Sequence, residues 1–102
     1  MQEFNPPDAM ARNAARAATM LKQLANARRL EILCALAKSE KSVGELVEIL
    51  NLSHSAVSQH LSRMRDAGLV QSEKRGQMVY YSLAGVEVSA LLSTLYLIYC
   101  RD

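Results

Sequence analysis

The fold is decided by residues 42–68, which read SVGELVEILNLSHSAVSQHLSRMRDAG. The stretch opens with a capping box: the Ser42 hydroxyl can accept an orphan backbone N–H, while Glu45 reaches back to the start of the same helix. A tight turn, Asn51-Leu52-Ser53, leads into a second helix, and Gly68 suits the left-handed conformation that ends one. Two short helices joined in this way are typical of a helix-turn-helix unit.

The second of these helices, which runs to about Ala67, has two faces of different chemistry. Val57, Leu61 and Met64 fall at helical spacing and predict a buried stripe. The opposite face carries small hydroxyls, an amide and an imidazole, groups that can approach base edges in a major groove. These residues are His54, Ser55, Ser58, Gln59 and Ser62. On an isolated helix such a face is most often merely solvated, but its place in an ordered helix-turn-helix favours contact with double-stranded DNA.

A β-hairpin is predicted directly after this helix. Leu69–Lys74 and Met78–Leu83 are strand-like runs, and Gly76 suits the turn that joins them. Four cations lie around the polar face of this helix, which we call the reading face. Two near the helix end are placed for phosphates, and two at the hairpin tip are placed for a minor groove or the backbone. In chain order they are Arg63, Arg65, Lys74 and Arg75.

Three further helices are predicted around this unit. The first follows a flexible lead-in, residues 1–7, with Asp8 as its cap, and the second covers about Ala27–Lys38. The last segment, Val86–Cys100, has a helical period but is apolar on more than one side. A terminal helix with that much apolar surface needs a second partner, so we expect a homodimer that forms through the first and last helices. The fold class is therefore mainly α with a β-hairpin wing, α-α-α-α-β-β-α, a winged helix-turn-helix.

Composition narrows the class of protein further. One hundred and two residues allow one domain, which we expect to span residues 8–102, and the net charge of +2 is mild. The N-terminus lacks the pattern of a signal peptide, and the longest apolar run is too short to span a bilayer. We expect a cytoplasmic protein with no membrane partner. An enzyme of the thiol-oxidoreductase class is disfavoured, because the chain has no Cys-x-x-Cys pair and no βαβ pattern, and a pure protein-interaction module is disfavoured by the reading helix and the wing.

At this point the chain resembles a known family. Residues 25–33 (ANARRLEIL), 52–61 (LSHSAVSQHL), 64–70 (MRDAGLV) and 75–83 (RGQMVYYSL) together resemble the ArsR/SmtB family of bacterial winged-helix repressors. The resemblance covers nearly the whole chain after Asp8. It implies a homodimer bound to a palindromic operator, with base contacts from His54, Ser55, Ser58 and Gln59.

The only two cysteines, Cys34 and Cys100, are the candidate sensing residues of such a repressor. Metal sensors of the family use cysteines on the third helix or Asp, His and Glu on the last. Here the third helix has no cysteine, and the last offers only Glu87, so no metal site or other cofactor is predicted. His60 lies six residues from His54 and does not share its face, which favours helix packing or a phosphate contact over a metal pair.

The two cysteine positions resemble the persulfide-sensing BigR/SqrR subgroup, and the layout is also similar to HlyU. The resemblance implies that reactive sulfur species bridge Cys34 and Cys100 and release operator DNA. Three alternatives stay open at this point: a sensor of arsenite or another soft thiophilic metal, a peroxide sensor, and a Cys34 that is buried and inert.

Overall fold

Five helices and a three-stranded antiparallel sheet make up the part of the chain that the computed structural model describes, residues 6–100 for the backbone and 9–100 for side chains. Helices α1 to α5 cover Pro6–Leu24, Ala27–Lys38, Val43–Leu50, His54–Asp66 and Val86–Tyr99, and strands β1 to β3 cover Lys41–Ser42, Val70–Arg75 and Met78–Leu83. None of these five helices is long and apolar enough to cross a membrane. The predicted class, a mainly helical protein with a wing, is confirmed.

The first helix begins earlier than the sequence predicted. It starts at Pro6, so Asp8 lies within its first turn and is not the residue that precedes the helix. Proline fits there because the first backbone N–H groups of a helix have no partner within it. The last two residues of the predicted lead-in are thus helical, and its first five, residues 1–5, lie outside the described residues.

The predicted caps hold the helix-turn-helix unit in shape. The Ser42 Oγ accepts from the backbone N–H of Glu45 at 3.2 Å, and the Glu45 carboxylate accepts from the Ser42 N–H at 2.8 Å. The Ser53 Oγ accepts from the N–H of Ala56 at 3.1 Å, which starts α4 at the predicted residue. Gly68 has a φ of +82°, the left-handed conformation predicted for the end of α4.

The sheet contains one strand that the sequence analysis missed. The two residues of β1 pair with β3, Lys41 with Tyr81 and Ser42 with Tyr80, and the strand order is β1-β3-β2. The hairpin is also tighter than predicted: Arg75 belongs to β2 and pairs with Met78, so Gly76 and Gln77 alone form the turn. The wing, which is the hairpin of β2 and β3, is therefore joined to the helical body at its base, where β1 pairs with β3.

The core lies between α2, α3, α4, the base of the sheet and α5. Its fully buried side chains come from every one of these elements, among them Ile32, Leu33, Leu46, Val57, Leu61, Met64, Leu69 and Val88. A core side chain of this size contributes roughly 1.5–3 kcal/mol when it leaves water. Because the predicted stripe of α4 is part of this core, the opposite face of α4 is directed outward.

Candidate DNA-binding surface and thiol groove

The outward face of α4 carries the residues that the sequence selected for base contact. His54, Ser55, Gln59 and Ser62 are exposed, and Ser58 is half-buried beside them. The buried residues Val57, Leu61 and Met64 hold the helix from behind. Since the side chains on this face are short or slender, the helix backbone can come close to a groove floor, which is the requirement for reading base edges.

All four predicted cations are exposed, and three of them have no ion-pair partner among the described side chains. Arg63 and Arg65 lie in the last turn of α4, and Lys74 lies on β2 opposite Val79. Within residues 9–100, none of these three side chains takes part in an ion pair. Their charges are therefore available to phosphates, which is how positively charged side chains set the register of a protein on DNA.

The fourth cation, Arg75, has a different environment. Its two terminal nitrogens donate to the two carboxylate oxygens of Glu40, both at 2.6 Å, and one of them also donates to Glu73 at 2.8 Å. The guanidinium carbon lies 4.8 Å from the centre of the Tyr80 ring. The bond to Arg75 lowers the pKa of the Glu40 carboxyl, and the two carboxylates raise the pKa of Arg75. Sequence reasoning grouped Arg75 with Lys74, whereas the structure engages its guanidinium within the chain.

A polar junction connects α4 to α2 behind the reading face. Arg29 Nε donates to Nδ1 of His60 across 3.5 Å, and Arg29 Nη1 donates to Oε1 of Gln23 at 2.9 Å. Burial, followed by the charges of Arg29 and Arg63, lowers the pKa of His60. A neutral imidazole can accept the bond, so His60 serves in helix packing, one of the two roles the sequence favoured.

The two cysteines line one groove between α2 and α5. Cys34 is exposed on α2, and Cys100 is exposed at the end of α5, where its N–H bonds the Tyr96 carbonyl at 2.8 Å. The groove has a volume of about 730 Å³. Its remaining lining is mostly apolar, with one cation, and comprises Ala37, Lys38, Leu83, Ser89, Leu92, Ser93, Tyr96 and Leu97.

The surroundings of Cys34 shift its acidity in opposing directions. Desolvation by the groove raises the pKa of the Cys34 thiol most, the negative charge of a Cys100 thiolate raises it further, and the Lys38 ammonium lowers it. The net effect is a raised pKa, and the influence of Cys100 agrees with the position of both sulfurs in one groove. A nearby cation favours the thiolate, the reactive form of cysteine.

Two groups of site residues were missed by sequence reasoning. Lys38 lies four positions after Cys34 on one helix, and that spacing alone places both on one face, so the signal was present. Glu40 contacts Arg75, 35 positions away, and Arg29 contacts His60, 31 positions away. No local sequence pattern predicts pairs at such distances.

A helix-turn-helix with an outward polar reading face and an adjacent β-hairpin defines the class of winged-helix DNA-binding proteins. This chain belongs to the bacterial ArsR family of regulatory proteins, whose sequence model matches residues 21–72. It is accordingly a DNA-binding transcriptional regulator and not an enzyme.

Relatives with the same architecture include an activator and a repressor. The transcriptional activator HlyU of Vibrio cholerae is 49% identical over 92 residues, which cover 90% of this chain and 85% of the relative. The structure of its reduced form gives a TM-score of 0.86 at 48% identity and covers 91% of this chain and 98% of that one. The repressor BigR of Xylella fastidiosa gives a TM-score of 0.85 at 30% identity, with 93% of this chain and 97% of that one covered.

A third similar structure is described as homodimeric. It is the winged helix-turn-helix domain of Mb0332 from Mycobacterium bovis, with a TM-score of 0.79 at 29% identity. The match covers 93% of this chain and 88% of that domain.

Proposed function

We propose that this protein is a homodimeric repressor of the bacterial cytoplasm that senses reactive sulfur species. In this proposal, Cys34 and Cys100 are the sensing thiols, and a bridge between them releases operator DNA. The observation that carries the proposal is the shared groove: two exposed thiols from α2 and α5 line one cavity with a cation beside them. Neither thiol contributes to the reading face, so a change at the sulfurs leaves the DNA-contacting side chains intact.

The proposed chemistry balances with a persulfide donor, RSSH, as the only oxidant. Each cysteine thiolate attacks the outer sulfur of a donor molecule, breaks its S–S bond and releases the thiol RSH. One cysteine persulfide then attacks the cysteine sulfur of the other, and hydrogen sulfide leaves. The product is a trisulfide between Cys34 and Cys100. A direct disulfide needs Cα atoms within about 7 Å, and an added sulfur atom relaxes that limit.

Release of DNA follows in this scheme from what the two sulfur-bearing helices touch. Helix α2 reaches the reading helix through the contact between Arg29 and His60, and α5 provides apolar surface for a partner. A bridge that fixes α2 against α5 alters the placement of α4 relative to the second subunit. Because both half-sites are affected, a cost of ~1.4 kcal/mol per subunit lowers affinity about a hundredfold.

We assign base contacts to the outward face of α4 and backbone contacts to the cations beside it. The base-contacting set is His54, Ser55, Ser58, Gln59 and Ser62, and the phosphate-contacting set is Arg63, Arg65 and Lys74. A homodimer presents this set twice, which suits a palindromic operator with half-sites about 34–36 Å apart.

The homodimer would form through α1 and α5, within the domain that the sequence predicted over residues 8–102. Exposed apolar side chains on these helices support it: Met10, Leu21, Val86, Tyr96, Leu97, Ile98 and Tyr99. A monomer seldom leaves so many large apolar side chains on adjacent elements in water.

The test combines intact-mass spectrometry with DNA binding. Duplexes selected from a random pool by the reduced protein serve as the operator probe. After treatment with a persulfide donor, we expect a mass gain of one sulfur atom less two hydrogens, a peptide that links Cys34 to Cys100, and at least a tenfold loss of affinity. The single variants Cys34→Ser and Cys100→Ser should bind the probe when reduced and stay bound after treatment.

Parallel samples exposed to arsenite, Cu(I) and hydrogen peroxide distinguish the remaining candidates. Release of DNA by one equivalent of arsenite or Cu(I), with persulfide without effect, would replace persulfide sensing by soft-metal sensing. Release by peroxide with loss of two hydrogens would identify a disulfide switch. A reporter gene behind the selected operator gives the sign of regulation, and we expect expression to rise when the thiols are bridged.

A further inference from the structure

The cation at the end of β2 is bound to a residue outside the wing. Arg75 forms a bidentate pair with Glu40, which lies in the two-residue connection between α2 and β1. The planar guanidinium matches a carboxylate fork in this geometry, and both bonds are short for charge-assisted pairs. The Tyr80 ring supports the guanidinium from β3. The hairpin is thus connected to the helical body by side chains as well as by the β1–β3 ladder.

Glu40 is itself held on an ordered connection. The neighbouring Lys41 Nζ donates to the Ala35 carbonyl at 3.3 Å, to the Ser39 carbonyl at 3.1 Å and to the Ser39 Oγ at 2.6 Å. These bonds satisfy carbonyls at the C-terminal end of α2, where a cation is also favoured by the helix dipole. A carboxylate on this connection therefore has a defined position from which to hold the wing.

Lys74 and Arg75 have different surroundings although they are adjacent. Successive residues of a strand point to opposite faces, so the two cations are on opposite sides of the hairpin. Among the described side chains Lys74 has no ion-pair partner, whereas Arg75 has two carboxylates. A phosphate that approached the terminal nitrogens of Arg75 would compete with both of these carboxylates.

We propose that Arg75 is a positioning residue, which holds the wing against the α2–β1 connection through Glu40 so that Lys74 meets the DNA backbone. This inference rests on the proposed contact of the wing with DNA. In this arrangement Glu40, an acidic residue, supports binding to a polyanion. A direct contact by Arg75 requires the opposite, because Glu40 would then compete with phosphate for the same guanidinium.

The experiment compares two substitutions with the same change in charge. Glu40→Gln and Glu73→Gln each remove one carboxylate from Arg75, but only Glu40 lies outside the hairpin. The dissociation constant of the reduced protein for a selected duplex is measured by fluorescence anisotropy. We expect Glu40→Gln to weaken binding by about three- to tenfold, as suits an exposed but bidentate pair, and Glu73→Gln to leave binding as tight as before or tighter.

Three further variants test the mechanism. Arg75→Lys keeps the charge but loses the fork, so it should weaken binding as much as Arg75→Gln does. The exchanged pair, Glu40→Arg with Arg75→Glu, should recover most of the lost affinity. In a Lys74→Gln background, Glu40→Gln should have little further effect on affinity. Glu40 acts on DNA binding only through the position of Lys74 on the wing, so its loss matters little once Lys74 is gone.

Tighter binding by Glu40→Gln would overturn the proposal, since it would mean that release of Arg75 helps DNA contact. Full affinity in Arg75→Lys would overturn it as well. If Lys74→Gln alone leaves affinity and salt dependence unchanged, the wing does not contact DNA, and the failure then belongs to the proposed function. Circular dichroism and thermal unfolding of each variant confirm that a loss of affinity is not a loss of fold.

Discussion

Arg29 and His60 join α2, which carries Cys34, to α4, whose outward face we propose to contact DNA. The Arg29 Nε and the His60 Nδ1 are 3.5 Å apart, and the same guanidinium holds Gln23 near the end of α1. The contact is long for a hydrogen bond. It also requires a neutral imidazole, because only the neutral ring has a nitrogen that can accept. Protonation of His60 would remove that acceptor and place a second positive charge beside Arg29.

The first prediction concerns the pH dependence of stability. Burial, then Arg29 and Arg63, holds the pKa of His60 below its ordinary value of 6.5. The unfolded chain therefore takes up this proton at higher pH than the folded chain. The stability contributed by neutral His60 is complete above that ordinary value and is lost as the pH falls through the lowered pKa of the folded state.

Urea unfolding midpoints measured between about pH 8 and pH 5 check this. His60→Gln should show a smaller acid loss than the wild type. Equal acid losses in the wild type and His60→Gln would contradict the prediction.

The second prediction separates base readout from backbone contact. Ser58→Ala or Gln59→Ala should cost roughly 1–3 kcal/mol on a selected duplex and little on random DNA, because base contacts carry sequence information. Arg63→Gln and Lys74→Gln should weaken binding to both duplexes and reduce the slope of log K against log salt by about one unit each.

Titrations of both duplexes at several salt concentrations measure these effects. A loss of the same size on both duplexes for Ser58→Ala and Gln59→Ala would remove these residues from base readout.

The fold was predictable from the sequence where the signals were local. The capping box at Ser42, the stop at Gly68 and the apolar spacing of α4 each lie within one or two helical turns, and each is confirmed. Strand β1 was not predicted because two residues cannot show the alternation of polar and apolar side chains that marks a strand, and because its second residue, Ser42, is also the helix cap. The start of α1 at Pro6 was not predicted because proline is equally common in loops.

The site was predictable only as far as composition and helical faces allow. The outward face of α4 follows from its period, and the cations there follow from their charge. The engagement of Arg75 depends on Glu40, a partner 35 positions away that only the folded chain brings near. Which of two neighbouring cations is available to DNA is therefore a tertiary property.

The third prediction separates the residues of α5 that belong to the core from those that we propose to form the dimer. Leu92 is buried in the core, whereas Ile98 has 63% of its surface exposed and does not line the thiol groove. Leu92→Ala should lower the free energy of unfolding by about 2–5 kcal/mol, as buried leucines do. Ile98→Asp should weaken self-association with little effect on the fold of the subunit.

Sedimentation velocity at micromolar concentration and urea unfolding measure the two properties. A wild-type protein that is a folded monomer under these conditions would contradict the proposed homodimer. An Ile98→Asp variant that associates as strongly as the wild type would move the interface away from this residue.

The fourth prediction tests the electrostatics of the thiol groove without any assumption about the inducer. The pKa of Cys34 is raised first by desolvation and next by Cys100, and it is lowered by Lys38. Lys38→Met should therefore raise the pKa of Cys34, and Cys100→Ser should lower it. Iodoacetamide reacts with the thiolate, so at neutral pH Cys34 should react about two- to fivefold more slowly in Lys38→Met; the thiolate fraction changes tenfold per pKa unit, and the stronger intrinsic nucleophile that a higher pKa brings offsets part of the change. The repulsion from Cys100 acts only when its sulfur is charged, so the faster reaction of Cys34 in Cys100→Ser should emerge in alkaline solution, where cysteine thiolates are populated. Peptide mass spectrometry over a range of pH gives the rate at Cys34 alone, and Lys22→Met, on α1 away from the groove, should match the wild type.

Rates that shift in the same direction in Lys38→Met and Cys100→Ser would show that access to the groove, and not the charges of Lys38 and Cys100, controls the reactivity of Cys34.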